Sequence, residues 1–380
     1  MKAKRIRKKK KNNILFLKKK EVVMKKYKNI IFASIIFLIS LFVFLLSFYR
    51  YELSPVSISN EDKVITIKPD SSIAFIADLL KNNNLIRSKN AFKIYVKLNH
   101  KNSLKAGTYK LSESMSTKQI VGLMNEGKFY NKDEIKITFK EGKNMRYIAK
   151  TIALNTTNNE SDIYALVKDN DYLNELIEKY WFINSEIKNQ NLYYSLEGYL
   201  FPETYYFDNK NVTVKEIFTS MLDEMNKKLT PLKEDIEKSK LSIHELLTLS
   251  SIVELEGASA NDRKEVAGVF YNRLNNKWIL GSDVTTYYAF RIDDWSTSLT
   301  YKELDDCSNW YNTRCKTYVG LPVGPIANSS LESIEAVIYP TIHDNFYFVA
   351  DCKGEVYMTK NETEHINIIN KLKRDDNWCV

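Results

Sequence analysis

The stretch Leu241–Leu274, LSIHELLTLSSIVELEGASANDRKEVAGVFYNRL, decides how the rest of the 380-residue chain is read. Ser242 followed three residues later by Glu245 has the spacing of a capping box, in which each side chain satisfies a backbone N–H of the other and a helix starts. Leu246, Leu249, Ile252 and Val253 then recur at helical spacing. At about 100° per residue, Glu256 falls on the arc between Leu249 and Ile252, while Glu254 points to almost the opposite side and is expected to be exposed. A carboxyl on an apolar arc is costly to ionise, so its pKa should rise and it can remain a proton donor near neutral pH. Gly257 is expected to end the helix through the left-handed conformation that glycine tolerates. Ser259 and Asp262 open a second helix, with Val266, Val269, Phe270 and Leu274 on one stripe. One glutamate thus stands at the C-terminal end of a buried helix, beside a tight corner, which suits an acid catalyst. The spacing alone also fits a rim residue paired with a lysine or arginine.

The formal charge of +9 does not describe the body of the chain. Residues 1–28 hold fourteen Lys or Arg against the single acid Glu21, a local +13 that leaves −4 for the remainder. Nothing in the body interleaves basic and aromatic residues as a single-strand binder would, so no nucleic acid is expected as a partner. The basic tail, residues 1–29, leads into Ile30–Tyr49, IIFASIIFLISLFVFLLSFY, twenty residues without a charge. That length suits one transmembrane helix. The run is too long for the apolar part of a signal peptide and lacks a small-residue cleavage site. Lysines 25, 26 and 28 precede it and few cations follow, so the positive-inside rule puts the N-terminus in the cytoplasm and the body outside, on a single-pass cell-membrane anchor.

All four cysteines, Cys307, Cys315, Cys352 and Cys379, lie in the C-terminal quarter. Their spacings match no zinc pattern, and Cys307 with Cys315 could close a short loop or both could stay as thiols. After a polar connector, 50–62, residues 63–131 alternate short elements. These are a strand from Lys63, a helix capped at Ser71 or Ser72, a helix around Phe92–Leu98, a turn and strand at AGTY (106–109) and a helix over Thr117–Asn125. The pattern is that of a small α+β module. A larger domain, 132–380, carries the central helices. It also contains LEGYLFPETYYF (196–207), LGSDVTTYYAF (280–290), YNTRCKTYVGLPVGPIANSSLESIEAVIYP (311–340) and FYFVADCKGEVYMT (346–359). GLPVGPI reads as an ordered loop. The run after Glu197 fits either a sugar-stacking aromatic wall or a core turn held by Phe201 and Pro202. No Ser-His-Asp grouping, P-loop, G-x-G-x-x-G or HExxH occurs.

SIVELEGASANDRKEVAGVFYNRL, GSDVTTYYA, YNT followed by GLPVGPIAN, and FYFVAD occur in this order. By them the chain resembles the YceG-like endolytic murein transglycosylases, the MltG family, over roughly residues 63–375. The resemblance implies a LysM-like subdomain over 63–131 and a YceG-like catalytic domain after it. The expected fold is therefore α+β, with one transmembrane helix, the small module and the larger catalytic domain. The family's catalytic glutamate is the second acid of an S-I-[VI]-E-x-E stretch, which falls on Glu256. Candidate substrate contacts are Glu197, Tyr199, Asp283 and Asn312. Two departures stand out: the segment between YNT and GLP is longer here and carries Cys315, and Cys352 replaces the usual glycine after VAD.

The resemblance implies that peptidoglycan glycan strands are the substrate, cut between N-acetylmuramic acid and N-acetylglucosamine without water. Glu256 would protonate the glycosidic oxygen, then deprotonate the muramyl C6 hydroxyl as it closes on C1 to leave a 1,6-anhydro end. No metal or cofactor is required. Peptidoglycan synthases of the elongation or division machinery are the expected partners. Two alternatives are a muramidase-type hydrolase using Glu256 with Asp283, and a catalytically silent wall-binding scaffold.

Overall fold

The computed structural model describes residues 34–99, 104–257 and 259–378, together with Lys28 and Phe32. Apart from Lys28, the basic tail lies outside the described residues, as do Ile30, Ile31 and Ala33 of the apolar run and Cys379. The protein mixes helices and short strands and divides into two compact units, Met1–Lys132 and Asp133–Val380.

Among the described residues one helix, α1 (Ser34–Glu52), is long and apolar enough to cross a membrane. Its 19 residues rise about 28 Å at the helical pitch, close to the thickness of a hydrocarbon core. Its Phe37, Phe42 and Phe44 lie exposed. The rest of the first unit runs β1 (Asp62–Ile67), α2 (Ile73–Asn82), α3 (Lys89–Leu98), β2 (Gly107–Ser112) and α4 (Thr117–Glu126). Each helix starts on a serine, Ser72, Ser88 and Ser116, whose hydroxyl accepts a backbone N–H from the first turn. The strands pair antiparallel, Asp62 opposite Ser112 through Ile67 opposite Gly107. Alternation then puts Ile65, Ile67, Tyr109 and Leu111 on the helix-facing side, where they pack with Ile76, Leu80, Phe92 and Ile120.

The second unit begins with β3 (Ile135–Thr138), α5 (Met145–Asn155), α6 (Glu160–Leu166), α7 (Asn170–Lys179) and β4 (Thr204–Phe207). Helices α8 (Val214–Leu229), α9 (Lys233–Lys238), α10 (Ile243–Glu256) and α11 (Ala260–Asn275) follow. The chain closes with α12 (Asp283–Ala289), α13 (Tyr301–Leu304), α14 (Leu331–Ile338), β5 (Tyr347–Ala350), β6 (Val356–Thr359) and α15 (Glu362–Arg374). Strands β3 and β4 pair antiparallel, as do β5 and β6.

Helix α10 is the core element, and its capping box of Ser242 and Glu245 forms as the spacing requires. Every residue from Leu246 to Val253 is buried, including Thr248, Ser250 and Ser251. The helix therefore has no solvent face, which a stripe of four apolar positions could not reveal: the small hydroxyl residues let other elements close in on the remaining sides. Helix α14 packs against both α10 and α11. Loop 321–328 crosses α10, with the Ile326 N–H donating to Ser251 Oγ at 3.0 Å. His244 Nε2 donates to the Val323 carbonyl at 3.0 Å, which leaves Nδ1 to accept from the Tyr199 hydroxyl at 2.8 Å.

Two expectations for the end of α10 are corrected. Gly257 does terminate the helix, but with φ −97° it is extended rather than left-handed. Its glycine is needed for space: a Cβ there would stand 2.6 Å from Arg263 Cγ and 3.1 Å from the Val253 carbonyl. Glu254 points away from the cleft side of α10, yet that side is not solvent. Its side chain is 6% exposed and pairs with Arg263 Nη2 at 3.2 Å. It also accepts from the Ser330 N–H at 2.9 Å, the Ser330 hydroxyl at 2.5 Å and the Ser333 hydroxyl at 2.6 Å. A carboxylate at the first turn of α14 is favoured by the helix dipole. Glu254→Ala would leave the Arg263 guanidinium and the Ser330 N–H without a partner in a buried place. We expect it to destabilise the protein by about 3 kcal/mol or more in urea unfolding; a loss within about 0.5 kcal/mol, the range of an exposed residue, would show that this network is not structural.

Candidate active site

Glu256 is the last residue of α10 and lines a cleft of about 640 Å³ with Asp283, Arg273 and Arg314. It is partly buried. The Ser282 hydroxyl donates to Glu256 Oε1 at 2.6 Å. Ser282 occupies the N-cap position of α12 but does not cap it, because its hydroxyl is turned to the carboxyl instead. Its own N–H donates to Thr313 Oγ1 at 3.2 Å, and the preceding Gly281 N–H to the Thr313 carbonyl at 3.0 Å. The YNT segment therefore sets where Ser282 stands, and through it the carboxyl.

Burial raises the Glu256 pKa above the ordinary carboxyl value; the Ser282 hydrogen bond opposes this, the nearby Asp283 charge adds to it, and Arg273 and Arg314 oppose it further. Both cations are held elsewhere. Arg273 Nε donates to the Phe346 carbonyl at 2.7 Å and Nη1 donates to the Leu280 carbonyl. Arg314 Nε lies 3.2 Å from Asp283 Oδ1. The arrangement keeps Glu256 protonated at higher pH than an exposed glutamate, without an ion pair that would fix its charge.

The other expected contacts lie elsewhere. Asp283 shares the cleft with Glu256 and is exposed. Glu197, Tyr199 and Asn312 are buried and offer no surface to a ligand. Asn312 Oδ1 accepts from Thr286 Oγ1 at 2.7 Å, and its amide donates to the Glu303 and Asp306 carbonyls at 2.9 and 2.8 Å, so it holds the YNT loop against α12 and α13. Glu197 accepts from the Met145 N–H at 3.0 Å, the Tyr288 hydroxyl at 2.9 Å and the Asn328 amide at 3.2 Å, joining α5, α12 and loop 321–328. Burial pushes its pKa up to about 7 against those donors. The LEGYLFP run is thus the core turn of the two readings.

An aromatic wall does line the Glu256 cleft, from Tyr347 of the FYFVAD motif and from Trp278 and Tyr301, which helical and motif reasoning did not point to. Trp278 packs on Tyr347 with ring centroids 5.9 Å apart, and Tyr347 on His365 at 5.3 Å. Tyr301, 88% exposed, stands at the rim. Burial, with Arg273 nearby, lowers the His365 pKa. Ser282 was equally missed, although a serine beside Asp283 at a helix start was the available signal. Cys307 and Cys315 are disulfide-bonded and close the loop that carries Asn312, Thr313 and Arg314. Cys352 is disulfide-bonded as well. Among the described residues no cluster of His, Cys, Asp and Glu could hold a metal ion.

A partly buried, hydrogen-bonded carboxyl in an aromatic-walled cleft has the chemistry that proton transfer to a bound ligand requires. The chain belongs to the YceG-like family, which matches residues 65–371. An endolytic murein transglycosylase of Bacillus subtilis is 35% identical over 315 residues, covering 82% of this chain and 86% of that protein. One from Streptococcus pneumoniae is 34% identical over 338 residues, 83% of this chain and 60% of that longer protein. The crystal structure of a YceG-like protein from Listeria monocytogenes superposes with a TM-score of 0.57 at 35% identity, covering 82% of this chain and all of the other.

The two neighbours of Glu256 act on its proton in opposite senses. If Glu256 is the proton donor, donation is lost as pH rises through its raised pKa in the free protein, and that pKa sets the basic limb of kcat/KM. Ser282→Ala removes a donor to the carboxylate and is expected to move that limb to higher pH. Asp283→Asn removes a repelling charge, frees Arg314, and is expected to move it to lower pH. Limbs that shift in the same direction would mean that another group sets the profile.

Proposed function

We infer that this protein is an endolytic murein transglycosylase, a lyase that cuts peptidoglycan glycan strands without water. The name carried by its relatives supports the activity, and the single observation that carries the mechanism is Glu256: one partly buried carboxyl held by Ser282. We assign it both proton transfers. Protonated Glu256 donates to the glycosidic oxygen as the C1–O bond of the muramyl residue breaks and positive charge develops at C1. The carboxylate so formed takes the proton of the same sugar's C6 hydroxyl while O6 bonds to C1. The proton returns to Glu256, the leaving strand keeps a new hydroxyl, and the muramyl end is a 1,6-anhydro ring.

The alternative, hydrolysis, needs a second carboxyl about 5–9.5 Å away as nucleophile or base for water. Asp283 is the candidate in the same cleft, but its carboxylate is engaged by Arg314. In the non-hydrolytic course Asp283 serves instead to bind substrate and to raise the Glu256 pKa. The aromatic wall of Trp278, Tyr347 and Tyr301 offers faces for sugar rings.

The same reading extends to the rest of the chain. Helix α1 is the single-pass anchor, with the basic tail in the cytoplasm and the chain that follows the helix on the wall side. Residues 63–131 form a LysM-like subdomain ahead of the catalytic domain, 132–380. Peptidoglycan synthases are the proposed partners, with strand cleavage terminating their elongation.

Glu256→Gln keeps the size of the side chain and removes the transferable proton. Because one group serves both steps, we expect the rate to fall at the upper end of the ~10²–10⁴-fold contribution of a positioned acid or base. Circular dichroism should stay unchanged. The count of anhydromuramyl ends by mass spectrometry reads the outcome, and a folded variant that still makes them at near wild-type rate would remove Glu256 from the mechanism.

A further inference from the structure

A second cavity, about 690 Å³, lies in the larger unit, lined by residues other than those of the Glu256 cleft. It shares a wall with the Glu256 cleft. Leu255 and Val284 line the second cavity, whereas their chain neighbours Glu256 and Asp283 line the first. The end of α10 and the start of α12 therefore form a ridge with the catalytic carboxyl on one side and this cavity on the other.

Its chemistry is that of a binding site for an uncharged polar ligand. Trp295 stands on the lining with 50% of its surface exposed. Its ring packs on Tyr287 at 6.4 Å, and the Tyr287 hydroxyl holds the loop by donating to the Thr297 carbonyl at 2.8 Å. Tyr147 and Tyr164 add further aromatic surface. Arg146 meets Asp293 through two bonds, Nη2 to Oδ1 at 2.6 Å and Nε to Oδ2 at 3.1 Å, with the Asn144 amide on Oδ1 at 2.9 Å. Arg146 Nη1 is buried and finds no acceptor among the described residues, a position that an arriving oxygen could satisfy. Three cations on the lining face three carboxylates, so the cavity holds no net charge with which to attract an anion. That balance favours neutral sugar units over the charged stem peptides of the wall. Exposed aromatic faces beside a fixed planar polar group are what the apolar and hydroxyl edges of a sugar ring require.

We propose that this cavity is a distal site for the glycan strand, which seats an N-acetylglucosamine unit, the uncharged sugar of the repeat, on Trp295 while the bond to be cut lies at Glu256. The inference rests on the transglycosylase reading. It supplies what internal cleavage needs: a grip on the strand beyond the reacting sugars, so that long strands are held better than short ones.

The test uses the full chain in detergent micelles and peptide-free glycan strands of defined length. In the Glu256→Gln background, adding Trp295→Ala should raise the Kd for long strands about tenfold, the effect of losing one aromatic contact, and Trp295→Phe should restore most of the affinity. In the active protein Trp295→Ala should raise KM for long strands by a similar factor while kcat holds. An unchanged Kd in the Trp295→Ala protein would overturn the proposal. So would an effect seen only on strands that still carry stem peptides, which would assign the cavity to the peptide. Failure of the wild type to make anhydro ends would sink the transglycosylase reading, whereas the Kd comparison would still report on the site.

Discussion

The Glu256 carboxyl is held at the end of a helix that is buried on every side, with one hydroxyl, that of Ser282, at 2.6 Å. Much of the catalytic unit can be understood as serving that contact. The YNT loop fixes the backbone of Ser282, and Asn312 and the Cys307–Cys315 bond fix the loop. Glu254 ties the other face of the same helix end to the start of α14. Burial raises the pKa of Glu256, and because Arg273 and Arg314 are engaged by carbonyls and by Asp283, neither cancels that effect. The balance favours the protonated carboxyl that the proposed mechanism starts from.

Local rules made much of this legible in the sequence. The capping boxes at Ser242 and Ser259 form as their spacing demands, because they depend only on residues three apart. The same locality explains the helix starts at Ser72 and Ser116. Glu256 could be picked by its place on an apolar arc, and the family motif falls on the same residue. The side that Glu254 faces could not be read, because burial of a helix all round depends on elements distant in the chain, here the start of α14 at Ser330 and Ser333. Glu197, Tyr199 and Asn312 teach the same lesson in reverse. Polar residues in a distinctive motif suggested ligand contacts, and their partners, Met145, Tyr288, His244 and Thr286, are brought to them only by the tertiary fold. Gly257 was read as a conformational need and proves to be a spatial one, set by Arg263 across the turn.

Charge and surface divide along the chain in a way that suits a wall enzyme on an anchor. The cations of the tail precede the apolar helix α1, and the body is slightly acidic. The two cavities flanking the α10–α12 ridge carry aromatic residues from separate segments, Trp278 and Tyr347 on one side and Trp295 with Tyr147 on the other. A strand laid over the ridge would meet rings on both sides and the Glu256 carboxyl between them.

The central claim is that a single carboxyl cuts the strand with the substrate's own hydroxyl in place of water. Cleavage of glycan strands by the full chain in heavy-oxygen water tests it most directly. The account predicts anhydromuramyl products whose masses are the same in heavy and ordinary water, since no solvent oxygen enters. Reducing-end products heavier by one oxygen isotope would contradict it, and would place Asp283 or a water beside Glu256 as the second partner of a hydrolase.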